Sequence, residues 1–202
     1  MRRKTVSIVS AAALAAVLAS SAAAQQTVRV RGTIEKLDGN VLSVKASDGA
    51  ELKITLLDNA QIVGVQQSSL ADIKAGSFVG SAAMPQPDGS QKALEVHIFP
   101  ESMRGTGEGH RPYAPVANST MTNGTVGDTV VAVEGQAMTL KYKDGEKKIV
   151  VPPGIPIMTY VIGDRGDLKP GAHFTIISAT KKPDGTLETA RVNVGRNGAV
   201  PQ

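Results

Sequence analysis

The chain is written twice. Gly32-Thr33-Ile34 returns as Gly124-Thr125-Val126, Asp48-Gly49 as Asp144-Gly145, and Pro87-Asp88-Gly89-Ser90 as Pro183-Asp184-Gly185-Thr186. Val96 and Ile98 match Val192 and Val194 at the spacing that relates the last two pairs. A spacing that recurs over most of the chain means two copies of one structural unit. Any fold has to satisfy the same pattern of strands and turns in both copies.

Within the first copy, Val28, Val30 and Ile34 alternate with Arg29, Arg31 and Glu35, the period of a strand with one buried face. Leu42, Val44 and Ala46 form a second apolar row, and Leu52, Ile54 and Leu56 a third. Asp38-Gly39 and Asp48-Gly49 separate them and mark hairpin turns. Ile62, Val63 and Val65 read as a short extended piece. Ser69 can cap a helical turn through Leu70 and Ile73 that Gly76 stops. Two further strands, 78–84 and 93–99, meet at Asp88-Gly89. The second copy follows the same order. Its first strand is longer, with room for a bulge at Gly127, and Pro152-Pro153-Gly154 interrupts it after the third strand.

This order predicts an all-β protein of two tandem small OB-like β-barrels, five to six strands each, with a short helical turn in each repeat. The first barrel is expected over 25–100 and the second over 119–202. The segment 101–118, with Gly105, Gly107, Gly109, Pro112 and Pro115, reads as a linker. The Gly-Thr strand, the Asp-Gly hairpins and the Leu-x-x-Ile/Leu-Lys-x-Gly stop together resemble the repeats of uncharacterised exported bacterial proteins with tandem OB-like barrels. The resemblance covers nearly all of the chain after residue 24. It implies a fold and carries no catalytic residues.

Residues 1–24 read as a signal peptide. Arg2, Arg3 and Lys4 precede an apolar run from Val6 to Leu18, and Ala22-Ala23-Ala24 supplies small residues for a cut before Gln25. The run is shorter than the ~20 residues of a membrane span, so the expectation is a periplasmic protein with no span after cleavage. The segment holds three of the 22 basic residues and none of the 18 acidic ones, which leaves a nearly neutral mature chain. That balance, with three Phe, three Tyr and no Trp, argues against nucleic acid as a partner. With no cysteine, disulfides, thiolate metal sites and cysteine nucleophiles are excluded.

Five of the ten Asp precede Gly at repeated places and serve turns. The sequence holds no nucleophile elbow, phosphate loop or zinc-type His pair. The expectation is therefore a non-enzymatic binding or envelope-associated protein, without a cofactor and with an unassigned periplasmic ligand or partner. Arg104, His110, Arg111 and Tyr113 concentrate polar chemistry in the linker outside any core pattern and are the candidate ligand-binding residues. The alternative is a copper-type metal-binding protein using Met103, His110 and His97, since His and Met suit such an ion. By alternation His97 faces away from Leu94, Val96 and Ile98, toward solvent.

Overall fold

A computed structural model describes residues 26–132 and 135–201, so the signal segment and its cut before Gln25 lie outside the described residues. The described chain is all-β. Its strands are β1 (Thr27–Asp38), β2 (Val41–Ala46), β3 (Glu51–Gln67), β4 (Phe78–Pro85), β5 (Gln91–Phe99) and β6 (Gly109–Pro112). They continue as β7 (Thr120–Ala132), β8 (Gly135–Tyr142), β9 (Gly145–Val151), β10 (Ile157–Ile162), β11 (His173–Lys181) and β12 (Leu187–Gly195). Helical structure is confined to single 3-10 turns such as Leu70–Asp72 and Arg165–Asp167. Among the described residues, no helix is long and apolar enough to cross a membrane.

The repeated turns have the same atomic form. Asp88 Oδ1 accepts from the Ser90 N–H at 3.0 Å, and Asp184 Oδ1 accepts from the Thr186 N–H at 2.9 Å. The glycines between them, Gly89 and Gly185, sit at φ +83° and +84°, a region costly for other residues. The bulge expected at Gly127 is present as a register shift between Val126 and Thr129. Strand β9 ends at Val151, before the Pro152-Pro153-Gly154 break.

Five strands close a barrel. Strand β1 pairs with β2, β2 with β3, β3 in parallel with β12, β12 with β11, and β11 with β1. Its core holds Ile34, Leu42, Val44, Ile54 and Leu56 from the first repeat, and Phe174, Ile176, Val192 and Val194 from the second. The expected arrangement of one barrel per repeat is thus not what the pairing shows. The remaining strands mirror the exchange: β7, β8 and β9 pair in sequence, β7 pairs with β4, β4 with β5, and two residue pairs join β5 in parallel to β9. Val79, Ala93 and Val96 there share a cluster with Val126, Met138, Leu140 and Ile149.

The cause lies in β3. Residues expected as a third strand and a separate extended piece form one strand of 17 residues. Although residues 57–60 bulge out of register with β12, the strand carries the chain past its own meander before the β4–β5 hairpin begins. Both meanders bear the same apolar rows, so the hairpin finds an equivalent seat on the other one. Strand β10 sits at the junction, antiparallel to β3 and parallel to β5. Val63, Val65, Met158 and Tyr160 pack there, with Phe99 and Met103 against them.

Candidate ligand-binding cleft

The exchange builds two equivalent outer sheet faces, and register fixes what each displays. In the barrel, Arg31 pairs with Thr175 and Thr175 with Asn193, which puts the three on one face. Two residues along the same face come Arg29, Ile177 and Arg191. On the other set of strands, Asn123 and His97 both pair with Gly80, and Met121 and Glu95 both pair with Ala82. His97 and Asn193 are counterparts at the repeat spacing, and so are Glu95 and Arg191. The duplicated fold therefore places a carboxylate on one face where it places a guanidinium on the other.

These faces border one cavity of about 910 Å³. Arg29, Arg31, Arg191 and Asn193 line it from the barrel; His97, Phe99, Tyr160, Met121 and Asn123 line it from the opposite side. The segment between the repeats adds Thr106, Arg111, Tyr113 and Pro115. This segment is a strap: Glu101–Met103 is a 3-10 turn and β6 pairs antiparallel with β7. It roofs the face that carries Glu95. The Tyr113 hydroxyl donates to Glu95 Oε1 at 3.3 Å, and Asn123 Nδ2 donates to the Thr106 carbonyl at 2.9 Å. On the barrel face Ile177 stays 58% exposed.

Basic side chains outnumber acidic ones around the cavity, and the Arg29 charge acts on the buried Glu95. Among the described residues no carboxylate lies within ion-pair distance of Arg29, Arg31, Arg111 or Arg191. Opposite them is a buried polar chain. Tyr160 Oη lies 3.2 Å from His97 Nδ1, and His97 Nε2 lies 3.9 Å from Glu95 Oε2. Burial pushes Tyr160 upward, so its hydroxyl stays protonated and shares a hydrogen bond with His97 Nδ1. Burial, with the Arg29 charge behind it, holds His97 down at about 4. Burial pushes Glu95 up from its ordinary value, against the Tyr113 hydrogen bond and the Arg29 charge. The His97 and Phe99 rings pack on Tyr160 with centroids 5.1 and 5.0 Å away.

The expectation that His97 faces solvent is corrected here: it is 7% exposed. Alternation placed it opposite Val96 correctly, but β10 and the strap cover that second face too. Of the four linker candidates, Arg111 and Tyr113 reach the cavity. Arg104 is committed to the scaffold, pairing with Glu101, donating to the Gly76 carbonyl at 2.9 Å and lying over the Phe78 ring. His110 Nδ1 meets Thr122 Oγ1 at 2.8 Å. For the metal set, β7 and β4 stand between His110 on β6 and His97 on β5. Three steps of about 4.8 Å separate the two along the sheet, and Met103 packs into the junction core. Among the described residues no group of three or more His, Cys, Asp or Glu is placed to hold a metal ion.

Arg29, Arg31, Arg191 and Asn193 were missed by motif searching. A signal for them exists: Arg29 and Arg31 occupy the polar face of β1, and aligning the repeats shows Arg191 where the first copy has Glu95. Comparison with protein-family models, curated proteins and solved structures found no significant match.

Proposed function

We propose that the chain is an exported, non-enzymatic binding protein built of two OB-like barrels that exchange their closing strands, with the arginine-lined cleft as its ligand site. The observation that carries the reading is the set of four arginines around one cavity with no carboxylate partner among the described residues. Guanidinium groups without a carboxylate partner beside an apolar and aromatic wall favour an anionic ligand. A cavity near 900 Å³ suits a small molecule or a short stretch of chain. His97, neutral and locked between Tyr160 and Glu95, contributes shape and polarity there, since its low pKa keeps it out of proton transfer near neutral pH. Residues 1–24 supply the export reading.

The test is binding by the mature protein. Titration with a panel of carboxylates, phosphates and acidic peptides is expected to show saturable binding that weakens with salt and drops at least tenfold in Arg31→Ala/Arg191→Ala. Saturable binding that this variant leaves untouched, at unchanged melting temperature, would place the site elsewhere.

A further inference from the structure

The two outer faces differ in one further respect. On β7, the strap strand β6 pairs with Thr120–Asn123, immediately before β8 takes over that edge at Thr125. On β1 the corresponding stretch, Val28–Arg31, precedes Gly32, where β2 begins to pair on the same side. Among the described residues no strand pairs with this stretch on the side away from β11. The Ser47 N–H and hydroxyl donate to the Arg31 carbonyl at 2.9 and 3.1 Å, so that carbonyl is turned away from β11 and is already filled at the β2 end of the stretch. Short of that carbonyl, the edge lacks the strand that β6 supplies on β7.

Cavities run along this edge. Arg31 lines both the large cleft and a second cavity of about 430 Å³ that also includes Lys45, Ser47 and His173. A basic track thus runs from Lys45 through Arg31 and Arg29 to Arg191. On the roofed face, Glu95 receives the Tyr113 hydroxyl of the strap. On the open face its counterpart is Arg191, which calls for the opposite charge in whatever lies across it.

We propose that Val28–Arg31 is a docking edge for an extended acidic segment of a partner protein, which adds as a strand in the place β6 occupies on β7. Main-chain hydrogen bonds to the open edge would hold the segment, and carboxylates at alternate positions would meet Arg29 and Arg31 on the adjacent strand. A second copy of this chain does not fit through the same edge, because β1 against β1 would set arginines against arginines. The proposal rests on the cleft being the binding site and names the class of ligand.

The experiment uses the mature chain and a labelled seven-residue peptide in which glutamate alternates with valine, followed by fluorescence anisotropy. Three probes accompany it: the same peptide N-methylated at alternate backbone nitrogens, inorganic phosphate, and succinate. The expected result is saturable binding of the parent peptide, at least tenfold weaker for the N-methylated form and for Arg29→Ala/Arg31→Ala. Arg29→Glu/Arg31→Glu should reverse the preference toward a lysine–valine peptide. Both arginines are exposed, so these variants should keep the wild-type melting temperature. Equal binding of the N-methylated peptide would overturn strand addition. Binding of phosphate or succinate, without the peptide, would overturn this proposal and leave the cleft as a small-anion site. No arginine-dependent binding of any probe would remove both.

Discussion

His97 couples the floor of the cleft to the stability of the fold. Its folded pKa, about 4, lies below the ordinary histidine value of 6.5, so the unfolded chain takes up the proton first. Above pH 6.5 both states are neutral there and the contribution is fully present. Between 6.5 and about 4 it is lost as pH falls, by at most about 1.4 kcal/mol per pH unit, or about 3 kcal/mol in all. Glu95 acts in the opposite sense, because its raised pKa favours the folded state at low pH and that advantage fades as pH rises through it. Denaturant unfolding of wild type and His97→Gln across pH 4–7.5 separates the two. The difference between the curves should slope in the His97 direction, and parallel curves would show that His97 titrates as it does in the unfolded chain. A second residue-scale expectation concerns the repeated Gly-Thr motif. A Cβ at Gly32 would meet the Lys45 carbonyl oxygen, and at Gly124 would come within 2.6 Å of the Lys141 carbonyl oxygen. Neighbouring strands approach too closely for any side chain, so the glycine is a packing requirement in both copies. Gly32→Ala and Gly124→Ala should each cost about 1–3 kcal/mol or more, measured by chemical denaturation.

At the scale of elements, the periodicity of the sequence located most strands and turns but not their partners. Leu42, Val44, Ile54 and Ile176 are all fully buried, as alternation required, and the Asp-Gly turns fall where expected. What alternation could not show was the continuity of β3 through Asp58 and Asn59, whose polar character reads as a break although the strand runs on exposed there. It also could not show that the Gly- and Pro-rich segment 101–118 packs as a strap, since its anchors are the short β6–β7 pairing and polar contacts such as Arg104 to the Gly76 carbonyl and Tyr113 to Glu95, which leave no apolar period. An unbound linker would lose nothing on substitution. Arg104→Ala/His110→Ala/Arg111→Ala/Tyr113→Ala is instead expected to lower stability by about 1–3 kcal/mol, as the part-buried hydrogen bonds of His110 to Thr122 and Tyr113 to Glu95 are removed together. A melting temperature equal to wild type would return the segment to a passive connector. Half of the candidate cleft was legible in the same way: Arg111 and Tyr113 stood out as polar residues in a loop, whereas Arg29 and Arg31 looked like the ordinary solvated face of a strand.

For the whole molecule, the exchange of closing strands decides how it unfolds. Leu52 and Ile176 come from different repeats yet lie against one cluster. Ile176→Ala is expected to cost about 2–5 kcal/mol and Leu52→Ala less, since Leu52 is only partly buried, and both should shift the same transition. A sharper consequence follows for the chain cut in two. Residues 25–114 contain one meander, β1–β3, and the β4–β5 hairpin that closes the other. Residues 115–202 contain the complementary set, β7–β9 with β11 and β12. Each piece alone has a three-stranded sheet whose apolar row faces no partner, and a meander of that size gains too little burial to hold by itself. Mixed or co-expressed, the two pieces carry every core contact of the intact chain. They are expected to assemble one to one, with the circular dichroism spectrum and cooperative unfolding of the whole. Separately, they should be largely unfolded or self-associated through the same exchange between identical copies, which sedimentation would distinguish. If either piece sediments as a compact monomer and unfolds cooperatively, its hairpin has turned back onto its own meander. The exchange would then be a preference set by the length of β3 and the strap, since both seats carry the same apolar pattern.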